Sequence, residues 1–121
     1  MPKQEYEIKA EEKYLHNKAK ELIQESVEAP PGRLSEINIE LTSIKAFFSE
    51  KLDNILVFKA DRLEELKAEL KTVASAKVAW NSAPEGKDEI IFRGIIGRIK
   101  DQVSVIKSRI QVKHDEAFGS Y

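Results

Sequence analysis

The sequence predicts an all-α protein of long helices, and three observations support this expectation. Apolar residues recur at steps of three and four along most of the 121 residues, which places them on single helix faces. No segment alternates polar and apolar residues as a half-buried strand does. Proline and glycine come together in only two short segments, around residues 29–33 and 81–87. The chain therefore divides into three helical segments within one domain, residues 1–121.

The first helix is expected over about residues 3–28. Ile8, Leu15 and Leu22 recur every seven residues, which gives this segment one apolar face. Residues 29–33 form the predicted linker, because proline lacks an amide donor and glycine loosens the backbone.

The second helix is expected over about residues 35–79, with Ser35 as its N-cap. Phe48, Leu52 and Leu56 step by four twice, a stutter that locally relaxes a left-handed supercoil. Neither proline nor glycine interrupts the segment, so an unbroken helix would be roughly 68 Å long at ~1.5 Å per residue. Either the helix breaks near the stutter or the molecule is elongated, and we expect an elongated molecule.

The third helix is expected over about residues 88–115, after a turn at residues 81–87. Asp88 and Glu89 are acids that suit a helix N-terminus. The short connection makes this helix the antiparallel neighbour of the second, in a coiled-coil-like hairpin. Its apolar seam steps by four and three through Phe92, Ile96, Ile99, Val103, Ile106 and Ile110.

Apolar surface remains after one hairpin is packed. Residues 55–58 are apolar on all sides of a helical turn, and Phe47 and Ile90 add further apolar surface. Helices that are apolar on two faces need two partners, and large unpaired apolar patches mark interfaces. The sequence therefore predicts a homo-oligomer, with the apolar seam of the third helix as the oligomer interface.

Several function classes find no support in the sequence. Cysteine is absent, which removes disulfides, thiol catalysis and thiolate metal sites. No apolar run reaches the ~18 residues of a membrane span, and the polar first residues do not resemble a signal peptide. A cytoplasmic protein without membrane contact is expected.

No catalytic, cofactor or metal site is expected either. Glu12 and His16 lie four apart on one helix face, but no third metal ligand is evident. The glycine spacing of a phosphate-binding loop is missing. We therefore expect a protein that is not an enzyme.

Charge is unevenly distributed along the chain. Residues 1–70 have a net charge of −4 and residues 71–121 a net charge of +3. A basic row, in which a cation recurs every seven residues along the third helix, consists of Arg93, Lys100, Lys107 and His114. Successive positions lie about 10.5 Å apart along the axis, so the row can follow a phosphate backbone.

From charge alone, an internal role for the basic row is favoured over nucleic-acid binding. The second helix offers Asp61, Glu64, Glu65 and Glu69 as ion-pair partners. Surface pairs of this kind are common and contribute about 0–1 kcal/mol each. Trp80 is the best candidate for a base-stacking platform, but a buried packing role is favoured for it.

Two segments, "KTVASAK" at residues 71–77 and "VIKSRIQVKHDEAFGS" at residues 105–120, carry a resemblance. They resemble the C-terminal half of the UvsY-like phage recombination mediators. In that family a long helix enters a polar connector, and a last helix with Ile-Lys-Ser-Arg follows. The segment "LKAEL" at residues 66–70 is similar to the family's DNA-contacting basic segment. Glu69 departs from the family pattern, which has an arginine there.

The resemblance implies a ring-like homo-oligomer that binds single-stranded DNA. Such a protein helps load a RecA-like recombinase onto DNA coated by single-strand-binding protein. Lys67 falls at a DNA-contacting lysine of the family segment, and Arg109 flanks the apolar seam. The expected DNA-binding residues are therefore Lys67, Lys71, Arg93, Lys100, Lys107 and Arg109. The alternative is a coiled-coil adaptor or chaperone-like protein that binds another protein through apolar helix faces, without nucleic acid.

Overall fold

The structure, a computed structural model, describes residues 8–118, with side chains described as far as residue 112. It consists of helices α1 (Ala10–Ser26), α2 (Pro31–Leu70), α3 (Val73–Ser82) and α4 (Pro84–Phe118), with no strand among the described residues. The predicted all-helical fold is therefore confirmed, with four helices in place of three. The expected start of the first helix at residues 3–7 lies outside this range.

Helix α2 begins earlier than the sequence indicated. Pro31 is its first residue and Pro30 its N-cap, a position where the missing proline amide costs no hydrogen bond. Ser35 lies inside the first turns, and its hydroxyl donates to the carbonyl of Pro31 at 3.4 Å. Ser35 is therefore not the N-cap of α2. The same prolines that break the first helical segment also form the start of α2.

The stutter does not interrupt α2. The helix runs unbroken through residues 48–56 for 40 residues, which corresponds to a length of roughly 60 Å. The expected elongated helix is present over this part.

The expected continuation of this helix to residue 79 is wrong. Lys71 adopts the left-handed conformation with φ 64°, and its amide donates to the carbonyl of Lys67. Thr72 then caps α3, because its hydroxyl oxygen accepts from the amide of Ser75 at 3.1 Å. The reversal lets α3 fold back, so that Ala76 and Trp80 pack against Leu66.

The connection between α3 and α4 is shorter than the predicted seven-residue turn. Only Ala83 lies between the two helices, and Pro84 is the first residue of α4. Gly86 is buried in the first turn of α4, and a Cβ atom there would lie 1.8 Å from the carbonyl oxygen of Trp80. Only glycine permits this close approach of the two helices.

The core lies between the antiparallel helices α2 and α4, with α1 packed on both. The rings of Phe48 and Phe92 are 5.4 Å apart between centroids, and Lys59 pairs with Glu89 farther along. Leu22 of α1 joins this same core. Over the described residues no helix is long and apolar enough to cross a membrane.

The apolar seam of α4 is used within the chain. Phe92, Ile99 and Ile106 are at most 1% exposed in the subunit's own core. The remaining seam residues pack against that core and are half-buried: Ile96, Val103 and Ile110. The assignment of Phe92, Ile99 and Ile106 to an interface between subunits is therefore corrected, because packing on α1 and α2 already covers them. An interface role for the half-buried seam residues stays a prediction. Self-association itself stays a prediction.

Candidate nucleic-acid interface

The described part of the basic row lies on one exposed side of α4. Arg93, Lys100 and Lys107 are all exposed, as expected for positions seven residues apart beside the buried seam. Among the described residues no carboxylate lies within ion-pair distance of Lys100 or Lys107. The side chain of His114 lies outside the described residues. Two unpaired cations thus remain about 10.5 Å apart along the helix axis.

In the described part of the chain, no contact supports internal ion pairing between the basic row and the acids of α2. Among the four acids proposed as partners, Glu65 pairs with Arg62 of its own helix at 2.9 Å. No ion pair joins the other three, Asp61, Glu64 and Glu69, to the part of α4 whose side chains are described. The observed pair between α2 and α4 has the opposite polarity, since Lys59 is the base and Glu89 the acid.

Glu89 is the centre of a polar network that the sequence analysis did not identify. Its buried carboxylate accepts from Lys59 Nζ at 3.0 Å, from Trp80 Nε1 at 2.9 Å and from Arg93 Nε at 3.2 Å. Burial opposes ionisation, but these three donors outweigh it and hold the pKa of Glu89 below its ordinary value. The four-residue spacing of Glu89 and Arg93 is the one signal that sequence reading could have used.

This network settles the roles of two candidate residues. Trp80 is 1% exposed, so it packs in the small cluster under α3 and does not offer a stacking surface. Arg93 is exposed at the edge of the network but is bonded to Glu89. The negative charge of Glu89 offsets part of the positive charge that Arg93 presents to a ligand. The strongest cations of the row are therefore Lys100 and Lys107.

Arg109 has a structural role that the sequence did not predict. Its guanidinium donates to the carbonyls of Ser26 and Val27 at the C-terminus of α1. Carbonyls at a helix C-terminus lack intrahelical partners and carry partial negative charge, which a cation there satisfies. Gln102 supports the same junction by donating to the Ser26 hydroxyl at 2.9 Å. The structure thus gives Arg109 a structural contact, and its role in DNA binding stays a prediction.

Lys67 and Lys71 lie at a distance from the basic row. Both are exposed where α2 ends, beside a cleft of about 180 Å³ that Lys67 and Lys77 help to line. The ion pair between Lys59 and Glu89 gives a common reference point on α2 and α4. From this pair, Lys67 lies about 12 Å along the axis of α2, and Lys100 lies about 16 Å along the axis of α4 in the opposite direction. The predicted bases therefore form two separate groups.

Glu12 and His16 show no metal-binding arrangement. Glu12 is buried and its carboxylate accepts from the amide of Lys9 at 3.0 Å, which closes the first turn of α1. Burial lowers the pKa of His16, and the charges of Lys20 and Arg98 lower it further. Within the described residues no three side chains of histidine or acid type come together.

Comparisons with protein-family models, with curated proteins and with solved structures gave no match.

Proposed function

We propose that the protein is a non-catalytic, single-stranded DNA-binding recombination mediator. The observation that carries the DNA-binding part is the basic row on α4, in which Lys100 and Lys107 are exposed and have no acidic partner among the described residues. Neutralisation of phosphates by such cations releases counterions, which drives binding without sequence preference.

The mediator part of the proposal is supported by the resemblance of residues 66–77 and 105–120 to UvsY-like proteins. The protein would bind single strands coated by single-strand-binding protein and help a RecA-like recombinase to load. A subunit offers few phosphate contacts, so useful affinity requires several linked subunits on one strand. Lys67 and Lys71 supply a second group of contacts at the other end of the molecule.

The test compares two matched pairs of lysines. Lys100→Gln with Lys107→Gln removes the unpaired cations of the basic row, and Lys13→Gln with Lys20→Gln removes two exposed lysines of α1 at the same seven-residue spacing. Binding of a labelled thymidine oligonucleotide is followed by fluorescence anisotropy over a range of salt concentrations.

We expect the α4 variant to bind more weakly, with a salt slope reduced by about 1.4, since each phosphate contact to a single strand contributes about 0.7. The α1 variant keeps the slope of the unaltered protein. If both variants weaken DNA binding equally, the loss of net charge alone explains the effect, and α4 has no special role in binding. Absence of binding by the unaltered protein at low salt would overturn the proposal.

An adaptor that binds another protein is the second candidate, and the exposed apolar residues favour it. Val57 is 74% exposed, and Ile90 and Val78 are more than half exposed. A partner protein that covered such exposed apolar residues would gain hydrophobic stabilisation of the complex.

A further inference from the structure

The side chain of His16 is half-buried in the middle of α1, near Arg98 of α4. Its ring atom Nε2 is fully buried and has no hydrogen-bond partner among the described residues. A protonated imidazole carries a proton on both ring nitrogens. Protonation of His16 would therefore place a charged donor without an acceptor in the packed side of α1, which costs free energy.

The charges that act on His16 are positive. Lys20 follows one turn later in α1, and Arg98 lies on α4. Neither has an ion-pair partner in the described part of the chain. Burial is the largest cause that holds the pKa of His16 below its ordinary value, and the repulsion from these two cations lowers the pKa further.

The acids on the neighbouring elements do not compensate this repulsion. Glu12, one turn before His16, accepts from the amide of Lys9 at 3.0 Å. Glu40 of α2, which borders α1 across a small cleft, lies 4.0 Å from Arg33. Asp101 of α4 forms no ion pair with the described side chains, and α3 does not contact the described part of α1.

His16 is also the one titratable group of α1 whose ordinary pKa lies between about pH 5 and pH 8. The C-terminus of α1 is attached through groups that keep their charge in this range. Arg109 donates to the carbonyls of Ser26 and Val27, and Gln102 donates to the Ser26 hydroxyl. A change of pH in this range therefore acts on the contact of α1 through His16.

We propose that His16 is a pH-sensitive switch for the docking of α1, which packs on α2 and α4 while the ring is uncharged and is released when the ring is protonated. The uncharged ring contributes its full stabilisation above the unfolded pKa of about 6.5. This contribution is lost as the pH falls below that value and through the lower folded pKa. The docked state is thus favoured at neutral pH, and release is favoured at mildly acidic pH.

Release of α1 would uncover apolar side chains without separating the other helices. Ala19 and Leu22 of α1 are buried in the common core, and Leu15 lies beside Ile44 of α2. The ion pair between Lys59 and Glu89 joins α2 to α4 without using α1. A partly open state therefore keeps the α2–α4 pair and exposes an apolar groove on it. This inference does not rest on nucleic-acid binding.

The test uses a cysteine as the reporter of α1 docking, because the chain has no cysteine of its own. Ala19→Cys places a thiol on the buried side of α1, and Ala76→Cys is the matched control on α3, since both alanines are 2% exposed. The rate at which a dipyridyl disulfide labels each thiol is measured at about pH 7.5 and about pH 5.5, on either side of the ordinary pKa of histidine. The ratio of the two rates removes the effect of pH on the reagent and on the thiols.

We expect the rate for Ala19→Cys, relative to the rate for Ala76→Cys, to rise several-fold at the acidic pH. Added to both cysteine chains, His16→Phe supplies an uncharged ring and His16→Gln a polar group that does not titrate in this range, so each should make the ratio independent of pH. Circular dichroism checks that each variant keeps its helices. A ratio that does not change with pH overturns the proposal, and so does a pH-dependent ratio that survives both substitutions. Equal acceleration of both thiols would also overturn it, because the whole protein would then be opening.

Hydrogen exchange of the unaltered protein measures the same release without an added thiol. After correction for the intrinsic effect of pH on exchange, protection of the α1 amides should fall at the acidic pH while protection of the α4 amides beside Phe92 is kept. Equal loss of protection in both helices would contradict a local switch.

A last pair of variants tests the cation on the facing helix. Arg98→Gln removes repulsion that protonated His16 meets in the docked state, so the acid-induced rise in the labelling ratio should become smaller. Lys100→Gln removes the same charge from an exposed position two residues away and should leave the rise nearly unchanged. Equal effects of the two variants would assign the change to net charge and contradict the local role of Arg98. None of these measurements uses DNA, so their failure is distinguishable from failure of the proposed function.

Discussion

The two ends of the α2–α4 pair are stabilised in different ways. At the end where α1 packs, twelve buried residues form one apolar cluster. At the end where α3 packs, the buried cluster contains only Leu66, Ala76 and Trp80. The second end compensates with the Glu89 network and with the tight approach of Gly86 to Trp80.

The stability of the α1 end depends on buried apolar area, whereas the stability of the α3 end depends on a few contacts with defined geometry. Hydrophobic stabilisation is proportional to area and is not directional, so the α1 end has many contributors. A hydrogen-bonded buried carboxylate depends on every donor, because an unpaired buried charge is costly. The α3 end is therefore expected to respond strongly to small changes at single positions.

The largest effect is expected from Phe48→Ala at the α1 end. Phe48 is fully buried, with neighbouring rings at 5.2 Å and 5.4 Å between centroids, so its removal leaves a cavity in the core. We expect the free energy of unfolding to fall by about 3–5 kcal/mol. Urea unfolding followed by circular dichroism measures it. The control is Val57→Ala at a position 74% exposed, where a change within about 0.5 kcal/mol is expected.

An intermediate effect is expected from Gly86→Ala at the α3 end. The added methyl group meets the backbone of Trp80, which cannot rotate away, so the two helices must separate. We expect a loss of about 1–3 kcal/mol. Trp80 is the single tryptophan of the chain, so its fluorescence reports this end, whereas circular dichroism reports all helices.

Gly94→Ala is the matched control in the same helix. The new methyl group enters open space, and alanine is the better helix former, so a gain of up to about 1 kcal/mol is expected. If both alanine variants lose stability equally, the close contact at Gly86 is not the cause.

The smallest effect is expected from Glu89→Gln, and it depends on pH. The pKa of Glu89 is lowered in the folded protein, so its ionised form stabilises the fold above the unfolded pKa of about 4.5. That contribution is lost as the pH falls through the lower folded pKa. We expect the variant to be less stable by about 1–2 kcal/mol at pH 7. Urea unfolding at pH 7 and at pH 3.5 should show the difference shrinking at the lower pH, and a difference independent of pH would contradict a role for the charge.

The sequence was informative where a residue's environment depends on its own helix. The spacing of Phe92, Ile99 and Ile106 correctly predicted a buried face, but not that this face would be covered within one subunit. The prolines correctly marked the ends of helices. The preference of proline for the first helical position, which the prediction did not apply, explains why Pro31 and Pro84 begin the helices that follow. The exposure of Lys100 and Lys107 followed from the same seven-residue spacing.

The sequence by itself determined the helical class, the buried sides of the long helices and the basic row, because a period of 3.6 residues relates positions only a few residues apart. The tertiary structure alone decided the left-handed turn at Lys71, the burial of Trp80 and the bonding of Arg109. Arg109 and Ser26 are 83 residues apart, and Glu89 binds Lys59 from 30 residues away. Such partners are chosen by how the helices pack against one another, and no local spacing encodes that choice.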